Sequence, residues 1–234
     1  MTVTENRKRP LDNIHMKFAA PRSARRLAAI ILLLTCAAFA GSPKVEHIGP
    51  LPASAVSDGL RQSVADKGYR VTLEDGWTAE FWFTRELKTD KKDVPGALYP
   101  ELNNGEFVGV IRFPQGMSDF RGQSLPAGYY TLRYQLLPQD GNHMGVAPNP
   151  DFLLASPVAD DARPEQAYVL RKLVALSAKS TGTGHPAVIA LESAGKSGTV
   201  SKEENGNVVF SVEVSSPAGT GETLGIVVKG AAAQ

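Results

Sequence analysis

Residues 69–84 alternate with a period of two on both sides of an Asp75–Gly76 pair, and this pattern commits the chain to β-structure. Tyr69, Val71 and Leu73 alternate with Arg70, Thr72 and Glu74, while Trp77, Ala79, Phe81 and Phe83 alternate with Thr78, Glu80, Trp82 and Thr84. Successive strand side chains point to opposite faces, so each run has one face to bury. The Asp-Gly pair supplies a residue that tolerates positive φ, which predicts a hairpin. Six more segments read as strands, at 107–113, 129–137, 151–156, 187–191, 207–215 and 223–229. In the second of these, Tyr130, Leu132, Tyr134 and Leu136 share one face, and Thr131, Arg133 and Gln135 the other.

Eight strands separated by Gly- and Pro-rich turns point to a sandwich or a barrel. The fold class expected is mainly β: an antiparallel β-sandwich, jelly-roll-like or Ig-like, with two short helices and a preceding signal peptide. One helix is predicted within 54–67, where Val56, Leu60 and Val64 recur at helical spacing and Gly68 follows. The other is predicted at 164–179, with an apolar stripe through Val169, Leu170, Leu173, Val174 and Leu176, and Pro164 near the first turn.

The N-terminal region follows a different rule. Arg25 and Arg26 precede an apolar run of about 14 residues that ends in Ala38, Phe39 and Ala40. A basic flank, a short apolar stretch and a small-x-small ending make a secretory signal peptide, cleaved after Ala40. The run is shorter than the roughly 18–20 residues that span a bilayer, so no stable transmembrane span is expected after cleavage. Residues 1–15 are polar and read as a non-native or disordered extension, with Met16 an alternative to Met1 as the start; 16–40 is then the signal peptide. An extended arm (41–53) and a single β-sandwich domain (54–234) follow, and the expected location is periplasmic or secreted. Cys36, after Leu33, Leu34 and Thr35, offers a lipid anchor as the alternative.

Without the leader, the composition changes sign. The whole chain has 25 basic and 24 acidic residues; seven of the basic and two of the acidic ones lie in 1–40, leaving 18 against 22. A mildly acidic remainder has no electrostatic footprint for nucleic acid. Cys36 is the only cysteine, so the exported chain has no disulfide, thiol nucleophile or cysteine metal ligand.

Several motifs bear on chemistry. Residues 190–197 fit a relaxed phosphate-loop pattern, ending in Gly195, Lys196 and Ser197, but a turn rather than a helix is predicted next. Asp140, Asn142, Gly145 and Asp151 fall at positions 1, 3, 6 and 12 of a calcium loop, with Met144 where an oxygen ligand belongs. His143 with Asp140 and Asp151, joined by His185, makes a candidate divalent-metal site if the loops meet. A triad of Ser180, His185 and Asp119 can be drawn, without a Gly-x-Ser-x-Gly elbow. Trp82 lies opposite Phe81 and Phe83, among Glu80 and Thr84, where an exposed indole would grip a sugar ring. Trp82, Arg133 and Asp119 are the candidate ligand-binding residues, set against a structural reading in which Trp82 is covered by a helix or second layer.

The segments 119–134 and 140–145, with Leu125, Pro126, Ala127, Gly128 and Tyr129 leading into a strand, resemble an uncharacterised family of secreted bacterial β-sandwich proteins over about thirty residues. The resemblance implies export and the sandwich, and carries no activity. The function expected is a non-catalytic binding or structural module for an envelope component or glycan, without a cofactor. The alternative is a metal-dependent enzyme built on the His143 and His185 loops.

Overall fold

The Asp75–Gly76 turn forms as expected: Gly76 takes φ 81° and the Trp77 carbonyl accepts from Leu73 N at 2.8 Å. It joins β2 (Gly68–Thr72) to β3 (Thr78–Phe83), and the computed structural model extends the same antiparallel pairing through most of the chain. It describes residues 41–90, 92–137, 147–216 and 221–230. β1 (Lys44–Ile48) pairs with β2, and β4 (Phe107–Phe113) pairs with β3. β5 (Met117–Ser118) and β6 (Ser124–Leu125) form a small separate hairpin. β7 (Gly128–Leu136), β8 (Asp151–Pro157) and β9 (Ala187–Glu192) continue the meander. Residues 193–198 then pass to β10 (Thr199–Lys202) at the far edge. β11 (Val208–Val214) and β12 (Glu222–Lys229) step back until β12 meets β9.

Ten strands thus share one sheet, in the order β1-β2-β3-β4-β7-β8-β9-β12-β11-β10. Its two edge strands, β1 and β10, approach each other, so the sheet curls into a nearly closed barrel. The two stacked sheets of the expected sandwich are not what forms. Alternation did not distinguish them, because a barrel wall and a sandwich layer both bury one face. What curls the sheet is local. The β4–β7 register slips between Phe107 and Gly109, and the β11–β12 register between Val208 and Val209. Bulges of this kind bend and twist a strand. At Gly109 a Cβ would stand 2.4 Å from the Trp82 carbonyl, so only glycine lets β3 and β4 approach there.

The inward faces fill the barrel with side chains. Phe210 of β11 lies 5.2 Å from Phe81, 6.4 Å from Phe83 and 5.8 Å from Tyr69, between ring centroids, so opposite walls meet in the middle. Tyr130, Leu132 and Tyr134 point inward from β7 as their alternation requires. On the outside, α1 (Asp58–Ser63) lays Leu60 against Trp82, with Val64 just after it. α2 (Leu170–Thr181) packs Leu173 with Phe152, Leu154 and Val188. Both helices are shorter than predicted at their N-terminal ends, and α2 begins six residues later than 164. The carbonyls of Arg163 and Gln166 instead accept from Arg133, so that segment runs as a strap across the wall. Among the described residues no helix is long and apolar enough to cross a membrane.

Candidate functional site

Arg133 is the most completely engaged side chain of the expected ligand set. It projects outward from β7 yet is 1% exposed, because the strap covers it. Nε and Nη2 donate to the two Asp161 oxygens at 2.7 and 2.9 Å. Nη1 donates to the Gly105 and Gln166 carbonyls, and Nη2 also to Arg163 O. All five guanidinium donors are therefore used. Thr131 Oγ1 donates to Asp161 as well, and the Tyr168 ring lies 4.8 Å from the guanidinium. A guanidinium held this way fastens the strap and has no donor left for a ligand.

Asp119 has a comparable position at the β5–β6 hairpin. Its carboxylate, 1% exposed, accepts from the main-chain N of Arg121, Gln123 and Val188 and from Gln123 Nε2. Beside it, Phe120 N donates to Val188 O, so the hairpin occupies the flank of β9 beyond its two rungs with β12. Trp82 is 2% exposed beneath α1, and its indole N–H donates to Gly49 O at 2.9 Å. The indole has no open face on which a sugar could stack.

Of the metal candidates, the two described ones, Asp151 and His185, lie at opposite ends of the barrel. Asp151, fully buried, accepts from Leu98 N, Tyr99 N and the Tyr134 hydroxyl at 3.0, 2.8 and 3.3 Å. His185 is exposed at the other end of the β8–β9 ladder, whose rungs run from Phe152↔Ala190 to Ala155↔Ala187. At 3.2–3.4 Å per residue that separates Asp151 and His185 by roughly 15–20 Å, too far to share one ion. Asp140 and His143, with Asn142, Met144 and Gly145, lie outside the described residues. Among the described residues no group of three metal-ligating side chains converges.

The remaining motifs are occupied structurally. The Ser180 hydroxyl, on the buried face of α2, donates to Ala155 O at 2.9 Å, while His185 is exposed. Residues 190–197 run from β9 into a turn, where Gly195 N donates to Ser211 Oγ and Ser197 Oγ accepts from Glu213 N. No helix follows to aim amides at a phosphate.

What the structure does present is a groove of about 640 Å³ at the end of the barrel that carries the Asp75–Gly76 turn. Trp77, half-buried, lies along it beside Gln115, Met117, Ser118, Ser124 and Pro126. The Trp77 indole N–H donates to Gly116 O at 3.1 Å, and its ring packs 6.0 Å from Phe113, so the aromatic is held in place. Gln115 Oε1 accepts from Thr78 Oγ1, and Ser118 pairs across the hairpin with Ser124. At the rim Lys229 Nζ donates to Asp75 Oδ2 at 2.5 Å. That bond, helped by Trp77 N, holds the Asp75 carboxyl below its usual range. The groove therefore combines an aromatic side chain, uncharged polar groups and a self-compensated ion pair.

The alternation had placed Trp77 among the inward residues without marking it as a site. The usable signal was its position directly after the turn, where a large inward residue reaches the barrel mouth rather than its middle. Compared with known protein families, curated proteins and solved structures, the chain matches none.

Proposed function

We propose that this protein is an exported, non-catalytic binding module that takes a neutral saccharide in the groove beside Trp77. The observation that carries the reading is the lining itself. The C–H face of a sugar ring packs on aromatic carbon, and its hydroxyls exchange hydrogen bonds with amide, hydroxyl and backbone groups. Trp77 offers the first; Gln115, Ser118 and Ser124 offer the second. The Asp75–Lys229 pair adds no net charge, which favours an uncharged ring over an anionic one. The packed interior leaves the surface as the place of action, and the expected metal set gains nothing from Asp151 and His185 being far apart.

Export rests on the leader: a signal peptide ending at Ala40, with Cys36 as the alternative anchor. N-terminal sequencing of the secreted or envelope-associated protein distinguishes a chain starting at Gly41 from one beginning at a lipidated Cys36. The binding test is titration of intrinsic tryptophan fluorescence with soluble β-glucan, α-glucan and chitin-type oligosaccharides. One of these is expected to change the emission saturably; titrated with that sugar by calorimetry, Trp77→Ala should lose binding and Trp82→Phe retain it, with unchanged far-UV circular dichroism checking the fold of each variant. A flat response to every class overturns the reading.

A further inference from the structure

We infer that the ligand is an extended chain rather than a single ring, because the Trp77 groove continues past the Asp75–Lys229 pair into a second groove. This rests on the saccharide reading above and deepens it. The second groove, about 370 Å³, shares Asp75 and Lys229 with the first and runs toward the open seam between β1 and β10. Leu73, Val200 and Val208 give it apolar surface, while Glu74, Ser201 and Lys202 give it polar groups.

The two halves follow one chemical plan. Each has apolar contact area beside hydroxyl-bonding groups, and each balances its charge, Asp75 against Lys229 in both and Glu74 against Lys202 in the second. A polyanion or polycation gains no net attraction along such a track, whereas a neutral polymer meets the same kind of surface from one end to the other. The ion pair sits between the halves as a saddle. Asp75 is half exposed and Lys229 more so, leaving carboxylate and ammonium reachable by hydroxyls of a chain crossing them. A single ring on Trp77 leaves the second groove empty; a linear oligomer reaches both.

Chain length is therefore the discriminating variable. Gluco-, malto- and chito-oligosaccharides of two to eight units are titrated into the full protein by calorimetry, and hydrogen exchange is recorded with the shortest and longest members that bind. In the class that binds, affinity should rise about tenfold or more from the shortest to the longest member and then level off, as a second contact is added within one complex. Long oligomers should protect amides at 199–202 and 206–208 as well as 115–118; short ones should protect 115–118 alone. Affinity independent of length, with protection confined to 115–118, overturns the extended-chain inference and keeps the saccharide reading. Failure of every oligomer to bind removes both.

Discussion

The two ends of the barrel solve the same problem in opposite ways. At one end, residues 84–90 and 92–106 fold across the opening and bury Leu87, Tyr99 and Leu102 in the core. Asp151 ties that segment down through Leu98 N and Tyr99 N, while the Tyr99 hydroxyl donates to Glu192 O at 2.8 Å and accepts from Gly225 N at 2.7 Å. One phenol thus bridges the Glu192–Gly225 pair, one of only two register pairs between β9 and β12. Burial pushes the Tyr99 hydroxyl up to about 12 and raises that of Tyr134, with the Asp151 charge adding to both, so each stays a hydrogen-bond donor. At the other end, among the described residues, short turns and the β5–β6 hairpin surround the opening, and its ion pair, Asp75–Lys229, is solvent-exposed. The sealed end ties its polar groups into the fold; the open end leaves its ion pair exposed.

The sharpest way to break this contrast is to remove one carboxylate from each end. Asp151→Ala leaves two main-chain N–H groups and a phenol without their acceptor in a dry site, and unmet buried donors cost about 1–3 kcal/mol each. The expected loss is at least about 3 kcal/mol in urea unfolding. Asp75→Ala should lower the unfolding midpoint only slightly, since exposed ion pairs contribute little. Equal losses would mean that the ends are not differently built.

Tyr99→Phe is the next largest test. It keeps the ring in the core but strips the hydroxyl from Glu192 O and Gly225 N, with an expected cost of about 1–3 kcal/mol. Hydrogen exchange should then accelerate at Gly225, whose N–H donates to the phenol, more than at Ile226, whose pair with Leu191 the phenol does not bridge. Unchanged exchange at Gly225 would show that the phenol is not the bridge described above.

The contrast also marks where the sequence was legible. Strands of the barrel wall announce themselves as short β-rich apolar runs: 107–113 and 187–191 are recovered almost to the residue, because both of their faces are buried and almost every side chain is dictated. β1 and β10 were missed, and both are edge strands, half-exposed and short, whose residues no core dictates. The sealing segment 84–106 has no period at all; it is held by Asp151 and Tyr99, which make contacts 52 to 126 residues away in sequence. Arg133 and Asp119 were legible as unusual residues, but not as saturated ones. Their acceptors and donors come from Asp161, Gly105 and Val188, whose proximity only the folded chain creates. Trp82 and Trp77 lie five residues apart, and alternation sets them on opposite faces of one run without saying which is covered. Their exposure is decided by α1, which covers the first, and by the barrel mouth, which leaves the second at a groove.

The smallest effect expected, and the most diagnostic of the two ends, is a pair of opposite pH dependences. Near the sealed end, burial foremost and then the Glu101 charge raise the Glu222 carboxyl above its ordinary 4.5. A carboxyl with a raised folded pKa is protonated more readily when folded, so its favourable contribution is complete below 4.5 and is lost as pH rises through the folded value. Glu222→Gln should therefore melt higher than the parent protein at pH 7 and converge with it near pH 4. Asp75 is lowered from 3.8 by the Lys229 bond, so its contribution is present above 3.8 and lost as pH falls through the folded value. Asp75→Asn should melt slightly lower than the parent at pH 5–7 and converge below pH 3. Melting curves of both variants across pH 2.5–7 measure the two signs together. A common sign would mean that the carboxyls of the two ends feel the same environment, and the division into a sealed and an open end would fail at its electrostatic root.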